Sequence, residues 1–330
     1  MSAAAARSTT LALEISELPS IKDGISVKEE ADKRRKTCRF IEEAGRILKL
    51  PRVAVATAMV FFHRFYAKHS FAEHDRFEVA VACLLLAAKT EEAPKKLVTV
   101  IDECYKLKHR GMAAGRISQN SPMHPTNTIS TTGSLDPKGE EFLKLKERIL
   151  LLERVILHTI GFELSIDHPY KFLVDQIKKL IQTRQLEYII APSTASSSSQ
   201  VMSKMMNELV QYSMNFANDS MHTSLCLQFP ASTIATACVY LGAQFAKVRP
   251  TGGKSWLEVL GYPDVESLAS ICIQIMELIV DKKGADMDTF KKIRAELEQM
   301  RAQPSAGAKK PAPTTPREPA DTKRQRVSVG

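Results

Sequence analysis

Glu153 stands in a setting that demands a chemical explanation. In ERILLLERVILHTIGF its helical neighbours at i−4, i−3, i+3 and i+4 are Ile149, Leu150, Ile156 and Leu157, so the carboxylate sits on an apolar face with no partner on its own helix. A charge in such surroundings is costly unless paired, and the cation must come from another helix or another protein. Lys89, closing the apolar run VAVACLLLAAK, is the leading candidate. This is the chemistry of recognition, and the motifs of catalysis are missing. Gly253-Lys254-Ser255 lacks the first glycine of a phosphate-binding loop, which would fall on Val248. His63-Arg64-Phe65 lacks the aspartate of a kinase catalytic loop, with no glycine-rich loop or Asp-Phe-Gly beside it. The eight histidines include no HExxH and no pairing with cysteine at zinc spacing. His69 and His74, five residues apart, fit one helical face poorly and read as loop residues. No catalytic residue, metal or cofactor is expected.

The elements that must position Lys89 and Glu153 are helices. Nearly every apolar segment has helical spacing over ten or more residues, and alternating strand patterns bounded by hairpin turns are missing, which predicts an all-α protein. In the first half the spacing predicts helices over Lys28 to Leu48, Pro51 to Lys68, Phe77 to Lys89, Val98 to Lys108 and Glu140 to Ile160, with Gly161 as a cap. The second half should hold helices near His168 to Arg184, Gln200 to Met221, Pro230 to Ala246 and Asp264 to Asp281. A further amphipathic helix over 284–301 carries Met287, Phe290, Ile293, Leu297 and Met300 on one stripe, read as packing onto the second half. Residues 1–27 are expected to be flexible. Residues 109–140, rich in Gly, Ser, Thr, Asn and Pro, read as a disordered insertion, and 302–330 as a disordered basic, proline-rich tail. The halves resemble each other: VAVACLLLAAK over IATACVYLGAQ, at an offset of 155, gives five identities in eleven positions, with Lys89 facing Gln244. A duplicated unit whose first copy alone carries that charge suggests that the first copy does the binding.

Composition limits the partners. The chain has 330 residues, long enough for two cores, and a net charge of +9. Seven basic against two acidic residues in the last thirty leave only +4 on the preceding 300, so a folded domain that grips nucleic acid through its global field is not expected. The longest uncharged apolar run, Val79 to Ala88, is far too short to cross a bilayer, and the N-terminus does not read as a secretion signal. Six cysteines without metal spacing read as reduced core residues of an intracellular protein. Lys323, Arg324 and Arg326 form a short basic cluster of the kind read by nuclear import.

Four stretches, HRFYAKHSF (63–71), LLLAAKTEEAPKKL (84–97), LERVILHTIGFEL (152–164) and IDHPYKFL (166–173), resemble the cyclin box of transcriptional cyclins of the cyclin T and cyclin K class. FANDSMHTSLCLQF (216–229) and TGGKSWLEVL (251–260) are similar to their second box. The resemblance implies tandem five-helix bundles, a first cyclin box over 28–165 and a second over 166–283. It also implies a regulatory subunit without catalytic activity, nuclear, that binds and activates a cyclin-dependent kinase. Such kinases phosphorylate the C-terminal domain of RNA polymerase II and promote elongation. By the resemblance, Lys89 and Glu153 pair with each other and bond the kinase, and Glu92 and Phe162 match kinase-facing positions. The Met-Arg-Ala-Ile-Leu substrate-docking motif of cell-cycle cyclins is missing, so recruitment of mitotic substrates is not implied. The alternative is a DNA-binding adaptor resembling transcription factor IIB, which also has two cyclin-like repeats; the absent zinc ribbon and the modest charge of the body argue against it.

Overall fold

The computed structural model describes residues 15–116, 135–190, 198–262, 264–280 and 287–302. After a short helix α1 (Pro19–Lys22), the first bundle comprises α2 (Val27–Ile47), α3 (Arg52–Phe65), α4 (Arg76–Thr90), α5 (Leu97–Arg116) and α6 (Glu140–Thr159). The second comprises α7 (Pro169–Gln182), α8 (Ser198–Ser220), α10 (Ala231–Phe245), α11 (Trp256–Leu260) and α12 (Val265–Val280), with a one-turn α9 (Leu225–Gln228) between α8 and α10. Helix α13 (Met287–Ala302) follows. Strands β1 (Leu186–Tyr188) and β2 (Val248–Pro250) pair antiparallel and tie the segment after α7 to the segment after α10. Three-residue strands are too short to show a period of two, so among the described residues the all-α expectation holds with this one small exception.

Each bundle is organised around a helix that is apolar on every side. Every residue of α4 from Val79 to Ala88 is buried, and so is every residue of α10 from Thr233 to Ala243. Such helices must lie inside. The two helices coincide residue for residue at the offset of 155 seen in the sequence. Asp75 starts α4 by accepting from the backbone N–H groups of Phe77 (2.9 Å) and Glu78 (3.0 Å), a side-chain N-cap. Pro230 precedes α10, where its fixed φ of −60° suits a helix entry. Gly242 lets α10 approach α8 closely: a Cβ there would lie 2.2 Å from Ser213 Oγ and 3.0 Å from its backbone nitrogen.

The bundles meet through a polar seam. Arg52 donates to Glu42 Oε1 (2.6 Å) and to Asn218 Oδ1 (2.9 Å), and Tyr170 Oη also donates to Asn218 Oδ1 (3.0 Å). His222 Nε2 lies 3.1 Å from Glu42 Oε2. The His222 hydrogen bond is the main reason that the Glu42 carboxyl is held down at about 2, with the Arg52 bond adding to it and burial opposing both. Thr57 gives its hydroxyl proton to Glu91 (2.7 Å), so it accepts from His168 Nε2 (2.8 Å), and burial holds that imidazole below its usual range.

Beneath the seam lies a buried charge network. Arg34 donates to Glu30, to the carbonyls of His63 (3.2 Å) and Tyr66 (2.8 Å) at the end of α3, and to His63 Nδ1 (3.2 Å). His63 Nε2 then donates to the Met221 carbonyl in the second bundle (3.0 Å). Burial first, then the Arg34 charge, push His63 from 6.5 down to about 3. The unfolded chain therefore takes up a proton that the folded chain refuses between those values. Stability present above pH 6.5 is lost as pH falls below it, at about 1.4 kcal/mol per pH unit for this one group. Denaturant midpoints measured from pH 7 to 5 should show that slope, and His63→Gln should flatten it.

The structure revises several boundaries. Residues 1–27 were expected to be flexible, but Leu18 and Ser20 are buried, and Ser20 Oγ accepts from the Phe71 N–H (2.9 Å). Residues 1–14 lie outside the described residues. Part of the stretch 109–140 expected to be disordered is ordered: α5 runs to Arg116, and Leu135 is buried before α6 starts. Residues 117–134 lie outside the described residues, as do 303–330 with Lys323, Arg324 and Arg326. All six cysteines are free, and five are buried.

Candidate functional site

Lys89 sits in the last turn of α4, where the helix dipole favours a cation. Glu153 projects from the middle of α6. Their partnership, expected from the apolar setting of the carboxylate, is present: Lys89 Nζ donates to both Glu153 oxygens, at 2.7 and 3.0 Å. The glutamate side chain is 12% exposed and the lysine 51%, so the pair is a buried carboxylate neutralised by a cation at the rim. An ammonium has three protons, and two are used here, which leaves one directed to whatever covers the rim.

The surroundings of the pair are apolar and open. Leu143, Leu150 and Leu151 of α6 are exposed, while Ile149 and Ile156 on its inner side are buried. Past the end of α6, Gly161 takes the left-handed φ of +63° expected of a cap, and Phe162 follows with φ +58°. A phenylalanine in that conformation is disfavoured, and this one is 59% exposed, touching the His158 ring edge-on at 5.2 Å. It is not a core residue. Glu92 is exposed on the turn after α4, its N–H donating to the Lys89 carbonyl (3.3 Å). Thus Lys89 and Glu153 touch, Glu92 flanks them on the α4 side, and Phe162 lies beyond the end of α6.

Sequence reasoning missed two features. The link from His168 through Thr57 to Glu91 anchors the turn that carries Glu92, yet its members lie 34 and 111 residues apart and leave no local signal. The second is what happens at the position equivalent to Lys89. Gln244 Nε2 donates to Glu296 Oε2 (2.6 Å), and Tyr240 Oη donates to the same oxygen (3.1 Å). Burial raises the Glu296 carboxyl, and these two hydrogen bonds oppose the rise. In the second bundle, therefore, α13 of the same chain covers the corner that stays open in the first.

Comparison with known proteins agrees with this architecture. The family profile described as "Cyclin, N-terminal domain" matches residues 8–165. Cyclin-T1-3 of Oryza sativa subsp. japonica is 36% identical over 271 residues, 81% of this chain and 46% of that protein. Cyclin-T1-4 of Arabidopsis thaliana is 34% identical over 79% of this chain and 41% of its own length, and human Cyclin-L1 is 31% identical over 82% and 44%. The chain thus spans less than half the length of these relatives. A chain of the yeast RNA Pol II CTD kinase CTDK-1 complex shares the fold, with a TM-score of 0.55 at 17% identity over 90% of this chain and 83% of that one. Residues 8–165 thus belong to the cyclin family, and over about four-fifths of its length the chain is similar to cyclins of the T and L types.

Proposed function

We propose that this chain is the regulatory subunit of a cyclin-dependent kinase acting on the C-terminal domain of RNA polymerase II, with Lys89, Glu92, Glu153 and Phe162 on the kinase-binding face. The observation that carries the reading is the Lys89–Glu153 pair: a carboxylate neutralised at the rim of an exposed apolar strip, with donor capacity left over. The kinase supplies all the chemistry. Its β3 lysine must pair with the glutamate of its C-helix, and its activation loop must be held open. A rigid partner that binds only that arrangement shifts the population toward it, and the open face of α6 is a suitable rigid surface. The product of such a complex is a phosphorylated polymerase tail and promoted elongation, which requires a nuclear location. The basic cluster at Lys323, Arg324 and Arg326 would serve import.

The test is retrieval of a kinase by the tagged chain from nuclear extract, identification of that kinase, and its activity on polymerase C-terminal repeats. The double variant Lys89→Ala/Glu153→Ala should bind the same kinase at least tenfold more weakly, about 1.4 kcal/mol, while remaining folded by circular dichroism. The magnitude is held low because Lys89 is half exposed and water screens its share. Unchanged kinase affinity in the folded double variant would overturn the assignment.

A further inference from the structure

We propose that His69, Glu73 and His74 form a surface site for a divalent transition-metal ion of the Zn2+ class. The five-residue spacing that fits no helical face is not spanned by a helix. The loop from α3 to α4 folds back and brings one ligand atom of each residue to within 4.8 Å of the others. Two imidazoles and a carboxylate suit a borderline transition ion, whereas Mg2+ and Ca2+ favour all-oxygen sets. Bonds of about 2.0–2.1 Å hold tetrahedral donors roughly 3.4 Å apart, so side-chain shifts of about an ångström close the site.

Three observations argue that the cluster is arranged rather than incidental. First, the loop is fixed from within. Tyr66 and Phe65 are fully buried; the Tyr66 ring stacks on Phe71 at 3.8 Å, and its hydroxyl donates to the His74 carbonyl (3.0 Å). The His69 ring stacks on Phe65 at 4.4 Å, and the His74 ring stands edge-on to both, 5.2 Å from Phe65 and 5.3 Å from His69. Second, His69 has an outer partner that sets its tautomer. Thr159 gives its hydroxyl proton to the Val155 carbonyl (2.8 Å), so at 3.0 Å from His69 Nε2 it can only accept. The imidazole proton is thereby placed on Nε2, and Nδ1 is left as the metal-binding nitrogen, the arrangement that orients ligand histidines in metal sites. Third, the exposed Glu73 carboxylate makes no ion pair among the described residues. Three protein ligands leave a fourth position for water or for a donor from a bound partner. Occupancy would clamp the α3–α4 loop to the last turn of α6 through Thr159.

The site is tested by titrating the full-length chain with ZnCl2 in a calorimeter, in the presence of millimolar Mg2+. The comparison is with Glu73→Gln/His74→Asn, one at an exposed and one at a half-buried position, which leaves the Phe65–His69 stack in place. One ion should bind the wild type and raise its thermal midpoint, since a ligand held only by the folded state stabilises it. The double variant should lose at least tenfold in affinity, together with the shift in midpoint. Thr159→Val, which touches no metal, should weaken binding by about tenfold through loss of the His69 tautomer. Co2+ should give the intense visible bands of a four-coordinate site in the wild type and not in the double variant. Equal Zn2+ affinity in the wild type and the folded double variant, or Zn2+ binding displaced by Mg2+, would overturn the proposal.

Discussion

Arg34→Met is expected to destabilise the chain by about 3–5 kcal/mol, a large share of the stability of an ordinary domain. Arg34 is buried, its side chain 2% exposed against 4% for Glu30. Methionine roughly fills the volume, so the loss is electrostatic. Glu30 is left as an uncompensated buried carboxylate, and the carbonyls of His63 and Tyr66, in the last turn and cap of α3, lose their donors. These orphaned groups cannot reach water. The double variant Arg34→Met/Glu30→Leu should recover part of the loss, because removing both charges of a buried pair is far less harmful than removing one. Urea unfolding of the three proteins checks the ordering. A single-variant loss below about 1 kcal/mol would mean that solvent reaches the network.

Arg34 also shows what the sequence could and could not reveal. Within KRRKTCRFIEEAG it looks like one of four adjacent basic residues on a solvated helix, and only the tertiary placement of α2 across the end of α3 turns it inward. Glu153 was legible for the opposite reason. Its neighbours at helical spacing are apolar within a few residues, so burial, and hence the need for a cation, could be read locally. The apolar central helices and their offset of 155 were legible too, since a helix greasy all round has nowhere to go but inside. The end of α5 was not. Gly111 and Gly115 lower helix propensity, yet α5 runs past them to Arg116. His69 and His74 were legible as loop residues and lie in the loop from α3 to α4, but which side chains a loop brings together is not written in their spacing.

The duplication helps to separate fold from function. Glu92 has a left-handed φ of +53°, and at the same offset of 155 Lys247 has φ +54°. The turn after the central helix is therefore a property of the repeated unit, and its strain says nothing specific about binding. What differs between the copies is chemistry on that shared frame. The first places Lys89 against a carboxylate from α6 and leaves the rim open; the second places Gln244 against a carboxylate from α13 and closes it. The expectation that the first copy binds rests on that contrast.

Closure of the second corner predicts the other large effect. Phe290→Ala should cost about 3–5 kcal/mol, the range for truncating a buried phenylalanine when the space left behind collapses only in part. Phe290 is 6% exposed with its ring 5.7 Å from that of Phe245, and Ile293 and Leu297 on the same stripe of α13 are each 1% exposed. The stripe read from the sequence therefore packs onto the second bundle, except at Met287, which is 43% exposed. Met287→Ala is expected to stay within about 0.5 kcal/mol of the wild type and serves as the control on the same helix. Loosening α13 would also strip the Gln244 amide and the Tyr240 hydroxyl of their shared acceptor, so the loss should exceed that of an isolated Phe cavity once the helix detaches. Thermal and denaturant unfolding of the two variants decides the matter. If Phe290→Ala costs no more than Met287→Ala, then α13 is not part of the core, its apolar stripe is free to dock elsewhere, and the second copy has an open corner of its own.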